Sequence, residues 1–105
     1  MIVIQNNDVS CCKDKVCLHL FYFTAKWCGP CQKIKPMIQK LSEGMDDSKV
    51  EVCMVDIDEN DELSDELQIK SVPTFYLFKQ KDLLGQCSGG DILQVHALLK
   101  EHLTD

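Results

Sequence analysis

Apolar and polar positions change period several times along the chain, and each change marks an element. Residues 1–4 are a short apolar start, which predicts an edge strand. Residues 6–15 are polar, with room for a short helix. From 16 to 24 apolar residues occupy both alternating sets: Val16, Leu18, Leu20 and Tyr22 on one, Cys17, His19, Phe21 and Phe23 on the other. That pattern predicts a strand covered on both faces. A helix is predicted over 31–45, where Ile34, Met37, Ile38, Leu41 and Met45 fall on one face, with Pro36 expected to kink it. A strand follows at 50–57, then a short helix near 62–68 capped by Asp61 or Ser64. Residues 74–78 and 83–87 read as a hairpin around Lys79-Gln80-Lys81-Asp82. A last helix at 91–103 should turn Ile92, Val95, Leu99 and Leu103 inward. A strand–helix–strand crossover followed by a hairpin predicts an α/β fold, a mixed sheet covered by helices.

Length limits the chain to one domain, residues 1–105. The longest uncharged apolar stretch, 16–25, is about half the ~20 residues that span a bilayer. Asp14 and Lys15 precede it, unlike a signal-peptide start, so cytoplasmic residence is expected. Seventeen acidic residues face eleven basic ones, a net charge of −6, and every basic residue is lysine. Without arginine the chain lacks the planar fork that grips phosphate or guanine, so neither nucleic acid nor an anionic membrane is an expected partner.

Seven cysteines are unusual for such a chain, and an odd number cannot all pair internally. Redox chemistry at one pair explains them better than structural bridging. The candidate pair lies in Trp27-Cys28-Gly29-Pro30-Cys31, between the buried strand and the kinked helix. Two intervening residues in a first helical turn bring two sulfurs within bonding reach. Unpaired N–H groups and the positive end of the helix dipole favour an anion there, so Cys28 should hold a thiolate near neutral pH, with a pKa near ~7 as in comparable motifs. Pro30 suits the first turn, where its missing N–H would go unused.

These residues resemble the signature of the thioredoxin family. The likeness extends through Phe23-Thr24-Ala25, Lys35-Pro36, Val55-Asp56-Ile57-Asp58, Val72-Pro73-Thr74-Phe75 and Ser88-Gly89, about residues 17–103 in the family's order. It implies a thioredoxin fold and a protein-disulfide reductase, with Cys28 as nucleophile and Cys31 as resolving thiol. Pro73 matches the family's cis-proline, and the Val72 backbone would pair with an extended substrate segment. Trp27, Gly29, Pro30 and Gly89 would form a flat, uncharged rim. The Gly29-Pro30 spacer resembles reducing members, with a potential nearer about −270 mV than the about −120 mV of strong oxidants. No bound cofactor is implied; electrons would come from NADPH through a thioredoxin reductase. Expected partners are that reductase and disulfide-containing targets such as peroxiredoxin-type enzymes, and the chain is expected to be a monomer. The competing reading is an adaptor subunit that docks partners through the same rim and turns over little.

One position departs from the family pattern. Most members carry a buried Asp six residues before the nucleophile, and Tyr22 stands there. A phenol with an ordinary pKa near ~10 is a poor base at neutral pH. Tyr22 either fills the core, holds a relaying water, or reflects a specialised partner, and slower resolution of the mixed disulfide is expected. Of the other thiols, Cys17, Cys53 and Cys87 read as packing residues in strands, while Cys11-Cys12 is a candidate for a regulatory or intermolecular disulfide. No metal is expected at Cys28 and Cys31: no second CxxC or paired-histidine motif accompanies them, and His19 belongs to the buried strand. Lys26 could add positive potential beside the Cys28 thiolate.

Overall fold

The computed structural model describes residues 1–10, 17–46, 48–80 and 82–103. In chain order the elements are β1 (Ile2–Val3), β2 (Leu18–Thr24), α1 (Gly29–Glu43), β3 (Val50–Asp56), α2 (Asp61–Glu66), β4 (Thr74–Lys79), β5 (Asp82–Ser88) and α3 (Ile92–His102). The five strands form one sheet in the order β1-β3-β2-β4-β5. β1, β3 and β2 run parallel, and β4 and β5 are antiparallel to their neighbours. This is the mixed sheet flanked by helices that the periodicity predicts, in a single domain. None of the helices among the described residues is long and apolar enough to cross a membrane.

β2 lies at the centre, and all seven of its residues are buried. One face, with Leu18, Leu20 and Tyr22, packs against Ile34 and Ile38 of α1 and Val95, Leu98 and Leu99 of α3. The other, with Phe21 and Phe23, meets Ile4, Cys53, Val55 and Leu63. Burying both faces demands the near-continuous apolar run seen in the sequence.

Several boundaries and faces differ from the sequence reading. α1 starts at Gly29, two residues early, because Cys28 serves as its N-cap, and it continues through Pro36 to Glu43. Its buried stripe is Cys31, Ile34, Ile38 and Ser42, while Met37 lies on the flank and is 51% exposed. Leu103 caps α3 from outside the helix and is exposed, whereas Leu98 takes an inward place. The hairpin strands are longer than expected, and the register shifts between Leu77 and Phe78, leaving Leu83 and Leu84 both facing outward. The polar stretch opens with a turn at Asn6 and Asn7, both at positive φ (53° and 59°). The helix expected within 6–15 otherwise lies mainly outside the described residues, as does the strand's expected first residue, Val16.

α2 is capped by a residue the sequence reading passed over. Asn60, fully buried, is its N-cap, and the side chain reaches outward from the helix. Nδ2 donates to the carbonyls of Ile4 (3.2 Å) and Asp56 (3.0 Å), and Oδ1 accepts from the Asn7 N–H (2.8 Å). Asn7 returns the contact by accepting from the Leu63 N–H at 3.0 Å, which satisfies an open donor of α2. One amide thus ties the amino-terminal strand to the end of β3. Asn60→Ala should lower stability by about 2–4 kcal/mol, from the lost bonds and the buried groups left without partners. Urea unfolding should show a lower midpoint with an unchanged slope.

Candidate active site

The carboxyl end of β2 runs through Ala25, Lys26 and Trp27 directly into α1. Cys28 has extended backbone geometry (φ −89°, ψ 111°), and its Sγ accepts a hydrogen bond from the Cys31 N–H at 3.3 Å. That is the bond a Ser or Asp N-cap makes, here made to sulfur. Two further contacts hold the helix start: Cys28 N–H donates to the Ala25 carbonyl (3.2 Å), and Gln32 Nε2 donates to the same oxygen (2.9 Å). Cys28 and Cys31 form a disulfide with Cα atoms 5.3 Å apart. The two residues differ in access: Cys28 is 6% exposed and Cys31 is 0% exposed. Around them pack the apolar side chains of Ala25, Ile57 and Val72.

The other predicted residues converge on this point. The Val72–Pro73 peptide is cis, and the Val72 carbonyl oxygen lies 3.6 Å from Cys28 Sγ, placed to accept from the thiol once reduced. Gly89 donates its N–H to the Pro73 carbonyl at 2.9 Å. Its φ of +98° lies where side chains are strained, which explains glycine there. The adjoining Gly90 sits against Pro30: a Cβ on it would lie 3.5 Å from the proline's own Cβ. Gly29 and Pro30 are exposed on the first turn of α1, and Trp27 is 69% exposed beside them.

The role of Asp58 emerges only in three dimensions. Its carboxylate accepts from the Trp27 indole N–H at 2.9 Å, fixing the ring's polar edge across 31 residues of sequence. Lys26 reaches Glu59 at 3.3 Å, an exposed pair, so its charge is shared with that loop rather than directed at Cys28 alone.

Tyr22 fills the core directly beneath. Its ring stacks on Phe75 with centroids 5.2 Å apart, and its hydroxyl donates to the Cys31 carbonyl at 2.6 Å. Of the three readings open in the sequence, core filling is met: Tyr22 is fully buried, and its hydroxyl bonds directly to the helix that carries Cys31. Burial pushes the phenol above its ordinary value, so Tyr22 is a neutral donor at physiological pH and not a base.

The remaining described thiols, Cys17, Cys53 and Cys87, lie on or beside strands away from the pair. Cys53 is buried in β3 as expected. Cys87 is half-buried on β5 opposite Phe75, and burial pushes its thiol up. Cys17 precedes β2 rather than opening it and lies 3.8 Å from His19 Nε2. Cys11 and Cys12 lie outside the described residues.

Comparison with known proteins agrees with this geometry. Residues 5–101 match the Thioredoxin family model. The chain belongs to the thioredoxin family. It is 38% identical over 79 residues to human thioredoxin, covering 75% of this chain and 73% of the relative. Thioredoxin of the catfish Ictalurus punctatus is 36% identical over 80 residues, 76% of this chain and 75% of the relative. Among solved structures, Fasciola hepatica thioredoxin superposes with a TM-score of 0.89 at 28% identity, covering 97% of this chain and 99% of that one. Thioredoxins are thiol–disulfide oxidoreductases that need no bound cofactor, and the proximal cysteine pair of this chain is the equipment for that activity.

Tyr22 links the site to alkaline stability. The unfolded phenol ionises near 10.0, whereas the folded one resists ionisation, so stability present below that pH is lost as pH rises from there toward the folded value. Cys87 adds the same sign of effect from about 9.0 upward. Tyr22→Phe should cost about 1 kcal/mol at pH 7 through the lost hydrogen bond. It should also flatten the fall in urea midpoint above pH 10, leaving only the Cys87 component.

Proposed function

We propose that this thioredoxin is a protein-disulfide reductase in which Cys28 attacks and Cys31 resolves. The unequal access of the two residues carries the assignment: Cys28, the N-cap of α1, keeps a small exposed surface, and Cys31 behind it has none. In the reduced protein the Cys31 N–H and the helix dipole favour a Cys28 thiolate. That thiolate attacks one sulfur of the target disulfide, forming the Cys28–target bond and expelling the other target sulfur as a thiolate. Cys31, deprotonated, then attacks Cys28 Sγ, expels the second target thiolate, and closes the Cys28–Cys31 disulfide. The target gains two electrons and, on protonation, two protons.

Trp27, Gly29, Pro30 and Gly89 are assigned to the rim that meets the target. The Val72 backbone beside Pro73 is assigned to pairing with an extended target segment. NADPH, through a thioredoxin reductase, is the proposed electron source, with peroxiredoxin-type enzymes among the proposed targets. A monomer in the cytoplasm is the proposed working form. With a neutral Tyr22, bonded to the Cys31 carbonyl, at the position where most of the family carries an Asp, proton removal from Cys31 falls to the departing thiolate or solvent. The mixed disulfide is accordingly long-lived.

Insulin reduction with NADPH and thioredoxin reductase should proceed with the native chain and vanish in Cys28→Ser. Cys31→Ser should accumulate mixed disulfides that release on adding dithiothreitol. If the native chain fails to turn over while Cys28→Ser still captures partners, the adaptor reading replaces this one. In stopped-flow experiments Tyr22→Asp should resolve the mixed disulfide faster than the native chain, and an unchanged rate would remove Tyr22 from the account of resolution.

A further inference from the structure

At the opposite end of β2 from the sulfur pair, three side chains of metal-ligand type turn toward one point. Cys17 and His19, two residues apart, lie on the same side of the strand. Glu51 stands directly across from His19 in the parallel β2–β3 register. Glu51 Oε2 is 3.2 Å from His19 Nε2, Cys17 Sγ is 3.8 Å from the same nitrogen, and all three donor atoms fall within 4.8 Å of one another. The His19 side chain is 1% exposed and that of Glu51 12%, so the cluster is recessed and opens on the Cys17–Glu51 side.

These spacings match those a zinc ion imposes. Bond lengths of about 2.3 Å to sulfur, 2.0–2.1 Å to nitrogen and 2.0–2.2 Å to oxygen at tetrahedral angles separate N from O by about 3.3 Å and S from N by about 3.6 Å. The N–O and S–N edges agree to within a few tenths of an ångström, and the third, Cys17 Sγ to the Glu51 carboxylate, lies within 4.8 Å and closes toward about 3.6 Å on binding. We propose that Cys17 Sγ, His19 Nε2 and the Glu51 carboxylate form a three-ligand zinc site whose fourth position is taken by water or an exogenous ligand.

The donor set supports the choice of metal. A thiolate excludes calcium and magnesium, which take oxygen shells, and the mixture of sulfur, imidazole and carboxylate suits zinc. Thiolate and carboxylate together neutralise the divalent charge, which a recessed site requires. Strand pairing already sets His19 against Glu51, and loading draws the Cys17 sulfur in toward that pair. In the metal-free form Nε2 lies within hydrogen-bond distance of Glu51, and buried Nδ1 makes no hydrogen bond among the described residues. Zinc takes the thiolate and the neutral imidazole, so loading is pH-dependent. The length of β2, seven residues at about 3.3 Å each, keeps this site roughly 20 Å or more from Cys28, and it does not depend on the disulfide chemistry.

The test uses the full chain with Cys28→Ser and Cys31→Ser, reduced by a phosphine, so that the redox thiols cannot bind the metal. Cobalt(II) should bind with one equivalent, giving a thiolate-to-cobalt band in the near ultraviolet and visible bands of tetrahedral intensity. Competing zinc should abolish both and raise the thermal midpoint. Adding Cys17→Ser should remove the ultraviolet band, and Cys17→Ser or Glu51→Gln should each weaken zinc by about 100-fold. His19 sits in the core and its replacement risks unfolding, so these two milder variants carry the test. Absence of the cobalt bands overturns the proposal. So does a band that survives Cys17→Ser and disappears with Cys11→Ser/Cys12→Ser.

Discussion

Burial of β2 on both faces is the constraint from which the rest of the molecule follows. A strand held between β3 and β4, with helices against one side and the α2 layer against the other, has no freedom to slide. A one-residue slip would exchange the two packed sets of side chains. Its carboxyl end therefore arrives at a fixed place, and α1 starts there after a short connection. Positioning of Cys28 is a by-product of core packing, which explains why a reactive group can sit on the rim of a small domain without a deep cleft.

The same strand also sets the character of the site from below. Tyr22 belongs equally to the core, through its stack on Phe75, and to the active helix, through its bond to the Cys31 carbonyl. A carboxylate at this position would bring a titrating charge beneath the resolving thiol. The phenol brings shape, a neutral hydrogen bond and a stiffer first turn. Packing and proton management compete for one position, and in this chain packing has taken it.

Features that depend on residues near in sequence were legible before the fold was known. The buried run of β2, the hairpin, the first turn of α1 and the Cys28–Cys31 pair each rest on local period or spacing. Features that depend on the register of distant segments were not. Asp58 holds Trp27 from 31 residues away, and Asn60 joins Ile4 and Asn7 across 56 and 53. Glu51 meets His19 only because two parallel strands pair in one register. Met37 and Leu103 were misjudged for a related reason. Helical period says which residues share a stripe, whereas the neighbouring sheet decides how wide that stripe is and where it ends.

Cys28 is both a reacting sulfur and the residue that begins a helix, and this dual post links two quantities usually treated separately. In the proposed cycle oxidation replaces a Cys28 thiolate at the positive end of α1 with a neutral disulfide sulfur, so the helix start is then more favourable in the reduced chain. Any change that strengthens that preference stabilises the dithiol form and makes the protein a weaker electron donor. Any change that relieves it has the opposite effect. The folding free energies of the two redox forms, measured separately, therefore contain the reduction potential as their difference from that of an unfolded cysteine pair. In this domain the reducing power is a property of helix capping as much as of sulfur.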